Sequence, residues 1–316
     1  MQTFLKGSFV ISSHYVSSLA LILISCLLIY FLGPDGVDWL AYSTISIDFN
    51  KFYFYREPVG WGIVWLFRDL GVYILPSIIL SSLSVSSYVF SKSVCRDNIT
   101  SFFIVLILIG SNLFLLPSVN GLRQGIALVF IFFCCWSFIQ RRSYFIVLFY
   151  FLAIFSHNSA ALFGVVVAFY FLKTPIVRYA FLFIYLLSSN YIVQFAAKNS
   201  NPSVTDNSAL FFTASILILL FCFYPKVGVR NKEALLLSIS VFVISTAFLW
   251  NSVVYERLIY YTIPVAICLS GFRLINYRPA FARLSLILFL ILLSWYYSLQ
   301  HPSVKENFLY SEKNSI

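Results

Sequence analysis

Charge is what this chain has least of. Only 10% of its 316 residues are Asp, Glu, Lys or Arg, against 61% hydrophobic. Mean hydropathy is +0.91. So few charges cannot give a globule a wettable surface, which excludes a soluble fold and implies an integral membrane protein. No stretch is both long and polar enough for a separate soluble domain, so residues 1–316 read as a single polytopic membrane domain. The six cysteines (Cys26, Cys95, Cys134, Cys135, Cys222 and Cys268) show no CxxC or Cys/His ligand spacing. Neither a disulfide framework nor a zinc site is implied, and no metal or cofactor is expected. The first apolar run, Val16–Leu32, lacks a small-residue cleavage site and reads as a retained helix. Neither an internal repeat nor a low-complexity segment stands out. The net charge of +10 reads as a positive-inside signal rather than a nucleic-acid surface.

What the chain does have is apolar runs, rich in its 21 Tyr and 35 Phe. They fall at about 13–32, 71–91, 99–119, 124–139, 144–156, 158–172, 177–195, 208–224, 234–250, 258–272 and 284–300. The expected fold is all-α, with about 10–11 transmembrane helices of roughly 20 residues each. Between the first two runs, Trp61, Trp65 and Arg68 recur at i, i+4 and i+7. They mark Pro58–Asp69 as an interfacial helix lying along the outer surface.

Tyr144–Leu172 is uncharged and interrupted only by His157. As one helix it would measure about 43 Å, too long for a hydrocarbon core of about 30 Å. As a short helical hairpin it places 13 of the 21 basic residues inside, including Lys92, Arg141, Arg142 and Lys173, with only Asp97 and Glu233 of the 11 acids. A single crossing inverts every later turn and loses this bias, so the positive-inside rule favours the hairpin. His157 then lies at an outer turn.

The remaining outer charges are not needed for orientation. Asn120-Gly-Leu-Arg-Gln-Gly125 carries Arg123 between two apolar runs. A guanidinium there costs a few kcal/mol unless it snorkels or finds an anion. It reads as an interface anchor or as a cation facing a cavity to hold a phosphate bidentately. Gly121 and Gly125 would let backbone or ligand come close. Asn251–Arg257 offers Glu256 and Arg257, as a surface ion pair or a second anion contact, with Tyr255, Tyr260 and Tyr261 nearby. His157, among Ser156, Asn158 and Ser159, is a packing residue or a neutral imidazole able to accept a hydroxyl proton. Asp35, Asp38 and Glu57 read as caps, with Glu57 preceding Pro58 at N1, or as a carboxylate wall for sugar hydroxyls beside the tryptophans.

Four pieces in order resemble the EpsG/Wzy-type polysaccharide polymerase family. They are Gly-Pro-Asp-Gly-Val-Asp-Trp…Tyr42 with Glu57 after it, Gly-Leu-Arg-Gln-Gly at 121–125, Ser-His-Asn-Ser at 156–159, and Tyr-Glu-Arg with tyrosines at 255–261. Gly-Pro-Asp stands where family members often show Gly-Thr-Asp, which leaves Asp38 the firmer of the two aspartates. The resemblance implies a bacterial inner-membrane glycosyltransferase of O-antigen, capsule or exopolysaccharide assembly. Its substrates would be undecaprenyl-pyrophosphate-linked repeat units, joined at the periplasmic face, and a chain-length regulator is an expected partner. On that reading Arg123, Arg257 and Arg56 bind the pyrophosphate. His157 is the leading base, with Glu57, Asp38 and Glu256 as carboxylate alternatives. Asp38, Tyr42, Trp61 and Tyr255 face the sugars. The competing readings are an O-antigen ligase, which usually carries one large late outer loop, a polyprenyl-linked glycosyltransferase, and a flippase or other transporter, which usually shows internal repeats.

Overall fold

Backbone groups inside a bilayer must bond to one another, and the chain solves this with helices. The structure, a computed structural model, describes residues 13–32, 55–95, 98–119, 121–196, 232–247 and 252–270. The helices are α1 (Ser13–Leu32), α2 (Pro58–Phe67), α3 (Ile74–Cys95), α4 (Asn98–Ile109), α5 (Asn112–Val119), α6 (Leu122–Ile139), α7 (Ser143–Ser156), α8 (Gly164–Phe171), α9 (Pro175–Ala196), α10 (Lys232–Ala247) and α11 (Ser252–Ser270). Two 3-10 turns, Arg68–Leu70 and Asn158–Phe163, join them, and no strand occurs among the described residues. Three helices are long and apolar enough to cross a membrane: His14–Leu32, Ile74–Cys95 and Leu122–Ile139. The protein is thus all-α and polytopic. The expected runs at 208–224 and 284–300 lie outside the described residues.

Side-chain pairs set the directions of the helices. α1 runs against α3: Lys92 Nζ donates to the His14 ring, and Ser25 Oγ lies 2.9 Å from Ser84 Oγ. Small hydroxyl residues allow this close approach where lipid gives no hydrophobic drive. α3 and α6 run parallel. Gly125 faces Ile79, and the Phe90 and Phe132 rings are 6.0 Å apart. A Cβ on Gly125 would come within 2.6 Å of the Pro117 carbonyl oxygen. That glycine therefore serves backbone packing, which decides between the two uses the sequence left open for it.

The turn after α6 has Arg141 in the left-handed region at φ 58. Arg142 N–H bonds Ser137 O at 2.9 Å and Arg141 N–H bonds Phe138 O at 3.2 Å. This is a Schellman cap with Arg where Gly is usual. It turns α7 back antiparallel to α6.

Three details differ from the sequence reading. The 99–119 run is two helices bent by 56°, broken at Gly110 and Ser111, where Ser111 Oγ donates to Leu108 O at 2.7 Å. α2 stops at Phe67, and a 3-10 turn takes Arg68–Leu70. Its buried face is Gly60, Trp61 and Val64, while Trp65 is 42% exposed, so the two tryptophans do not share one environment.

The hairpin forms as the charge bias requires. His157 is extended (φ −158, ψ 126) and ends α7. The chain then folds back, so that Tyr150 Oη donates to Ala161 O at 2.8 Å. In one straight helix those residues would stand roughly 16 Å apart. An ion pair of 2.7 Å between Arg141 and Glu233 puts the start of α10 at the same end as the α6–α7 turn. The Phe138 and Tyr170 rings, 5.3 Å apart, bring the end of α8 back to the end of α6 from which α7 starts, as two short arms do and a single crossing would not. The bundle therefore has a basic end, with Lys92, Arg141 and Arg142, and an opposite end where α2, α6 and α7 bring Glu57, Arg123 and His157 together.

Candidate active site

Pro58 fixes the first turn of α2, and Trp61 N–H bonds the Glu57 carbonyl at 3.1 Å. This places the Glu57 side chain at the mouth of the helix, only 5% exposed. Its Oε2 accepts from Arg123 Nη1. Its Oε1 accepts from the Asn158 backbone N–H at 2.9 Å. One carboxylate thus joins the first turn of α6 to the polar turn after α7. The anion that Arg123 requires is supplied from within the chain.

Trp61 covers the same guanidinium, with Arg123 Cζ 4.3 Å from its ring centroid. Such a cation–π contact contributes roughly 0.5–2 kcal/mol. Gly60 explains how α2 gets so near. A Cβ there would collide with the Ser156 carbonyl oxygen and stand 3.2 Å from Arg123 Cγ. α2 therefore seats its glycine directly on the end of α7. Gly62, two residues on, has nothing within 4 Å of a Cβ and faces open space.

Beyond Ser156 the His157 turn is held by its own side chains. Ser159 Oγ lies 2.6 Å from His157 Nδ1, and Ser159 N–H reaches the same nitrogen at 3.3 Å. Tyr261 of α11, fully buried, brings its hydroxyl within 3.0 Å of Ser159 Oγ and 3.5 Å of His157 Nδ1. Its ring meets Phe163 edge to face at 6.0 Å. Four sequence-distant segments therefore converge: 57–61, Arg123, 156–159 and Tyr261.

Of the residues singled out in the sequence, Glu57, Trp61, Arg123, Ser156, His157, Asn158, Ser159 and Tyr261 belong to this cluster. Arg56 stands next to Glu57 and is exposed. Tyr255, Glu256 and Arg257 lie on α11, with Arg257 one helical turn before Tyr261, and their side chains fall outside the described residues. Asp38 and Tyr42 also lie outside the described residues. The sequence reading missed Gly60 and the direct Glu57–Arg123 pairing. A glycine inside a ten-residue helix was the available signal for the first. Among the described residues no three His, Cys, Asp or Glu side chains group as metal ligands.

The arrangement can present a fixed cation to an anionic group. It sets a carboxylate and an imidazole within the same small cluster, mostly away from water. Comparison with known proteins adds one match: a protein-family model described as the EpsG family covers residues 15–311. No curated protein and no solved structure matches the chain.

Proposed function

Because the chain belongs to the EpsG family, the family of Wzy-type polysaccharide polymerases, we propose that it joins undecaprenyl-pyrophosphate-linked repeat units at the periplasmic face of a bacterial inner membrane. The glycan leaves its lipid carrier and extends the non-reducing end of an acceptor repeat unit. A bond forms between the acceptor hydroxyl oxygen and the anomeric carbon. The bond from that carbon to the diphosphate oxygen breaks, and its electron pair stays on the diphosphate. The hydroxyl proton passes to a base of the rim, for which His157, Glu57, Glu256 and Asp38 are the candidates.

The observation that carries this reading is Arg123, held by Glu57 and Trp61 beside the His157 turn. Negative charge grows on the diphosphate as it departs, and a cation already in place stabilises it without reorganisation. A guanidinium fork also matches phosphate oxygens two at a time. In this reading Glu57 keeps Arg123 oriented until the diphosphate competes for it. Arg257 and Arg56 add further positive charge. Asp38, Tyr42, Trp61 and Tyr255 meet the sugars, aromatic-rich helices hold the polyprenyl chains, and a chain-length regulator is the expected protein partner.

Arg123→Ala and Arg257→Ala tests this in cells. Both variants should stay in the membrane and accumulate single-repeat glycolipid without polymer. Polymer of wild-type length in both would refute the assignment.

A further inference from the structure

The His157 ring sits where a backbone amide decides what it can do. His157 caps the 3-10 turn Asn158–Phe163, and its Nδ1 accepts from Ser159 N–H. A backbone N–H can only donate, so the nitrogen it meets carries no proton. Ser159 Oγ, 2.6 Å from that nitrogen, must therefore donate to it too. Having spent its hydrogen there, Ser159 Oγ accepts from the Tyr261 hydroxyl at 3.0 Å. The hydrogen bonds run one way, from Tyr261 to Ser159 to His157. A neutral imidazole has a single proton, and with Nδ1 accepting, that proton is on Nε2.

We infer that Tyr261 and Ser159 are positioning residues that hold His157 in its Nε2–H tautomer, so that the ring acts as a hydrogen-bond donor and not as the base. The sequence suggested that this imidazole takes the acceptor proton. In the observed geometry the Nδ1 lone pair is turned into the Ser159 turn and the other nitrogen already carries the proton, so neither presents a lone pair to an incoming acceptor hydroxyl. Resting on the polymerase reading, the donor's target is a non-bridging oxygen of the departing diphosphate. His157 keeps its proton throughout, and the hydroxyl proton goes to a carboxylate. Tyr261 is suited to fixing the ring because it is buried and stacked edge-on against Phe163, within the same turn.

The test uses the full chain in nanodiscs with 15N-labelled histidine. Only three histidines are present, so a His157→Gln difference spectrum assigns the ring. The expected pattern at neutral pH is a protonated Nε2 and an unprotonated Nδ1, with Ser159→Ala and Tyr261→Phe each raising a minor Nδ1–H form while the backbone N–H of residue 159 keeps the Nε2–H form the major one. Polymerisation of a lipid-linked repeat unit supplies the second readout. The Gln amide can replace an Nε2–H donor, so His157→Gln should remain within ~10-fold of wild type. His157→Ala should lose ~100-fold, as expected for removing one such donor. A proton found on Nδ1, or Gln and Ala equally inactive, overturns the inference. Failure of the wild type to build any ladder would overturn the polymerase reading instead, and the nitrogen spectra would still decide the tautomer.

Discussion

Two arginine–glutamate pairs sit at opposite ends of this bundle. At the basic end Arg141 meets Glu233 at 2.7 Å, with side chains 70% and 16% exposed. At the other end Arg123 meets Glu57, with side chains 25% and 7% exposed. The first pair joins the turn after α6 to the first turn of α10, with its arginine in water that screens it. The second is taken out of water, covered by Trp61 and extended through Glu57 to the Asn158 amide. Identical chemistry therefore does different work. One pair ties the α6–α7 turn to α10 at the basic end, and the other preorganises a cation where the chain gathers its polar side chains.

Breaking the buried pair should have the largest effect. Arg123→Ala leaves a carboxylate buried without its cation, at a cost of roughly 3–5 kcal/mol. The melting temperature in detergent should fall well below wild type. Glu57→Gln, which keeps the shape and one acceptor, should fall less.

The next effect comes from the seat of α2. Gly60→Ala puts a methyl group against the Ser156 carbonyl and should cost about 1–3 kcal/mol. It should also slow polymerisation, because α2 carries both Glu57 and Trp61. Gly62→Ala meets nothing within 4 Å and should change stability by no more than ~0.5 kcal/mol. Equal melting temperatures for the two glycine variants would show that α2 is not docked on α7.

The pair with the exposed arginine should matter least. Arg141→Ala and Glu233→Ala should each cost about 0–1 kcal/mol and leave polymer length unchanged. A loss there as large as that of Arg123→Ala would erase the distinction between the two ends.

Much of the fold is written locally. Apolar runs marked the helices, and charge counting forced a reversal at His157, which the Tyr150–Ala161 bond and the Phe138–Tyr170 ring contact then bear out. The break inside 99–119 was hidden because Gly110 and Ser111 scarcely disturb the hydropathy of the run. The site was legible as separate parts. Arg123 stood out as a charge with no neighbour, and His157 as an interruption in an uncharged stretch. Their partners did not stand out, since Glu57 is 66 residues from Arg123 and 101 from Asn158. No periodicity links positions so far apart. The two tryptophans of α2 looked equivalent by spacing, yet only Trp61 lies on the face that Gly60 presses against α7.

The most direct measurement incubates purified wild-type protein and Arg123→Ala with the native lipid-linked repeat unit and resolves the glycans by size. The wild type should build a ladder of polymers, and the variant should leave only unreacted repeat unit. An equal ladder from both would contradict the proposed role of Arg123.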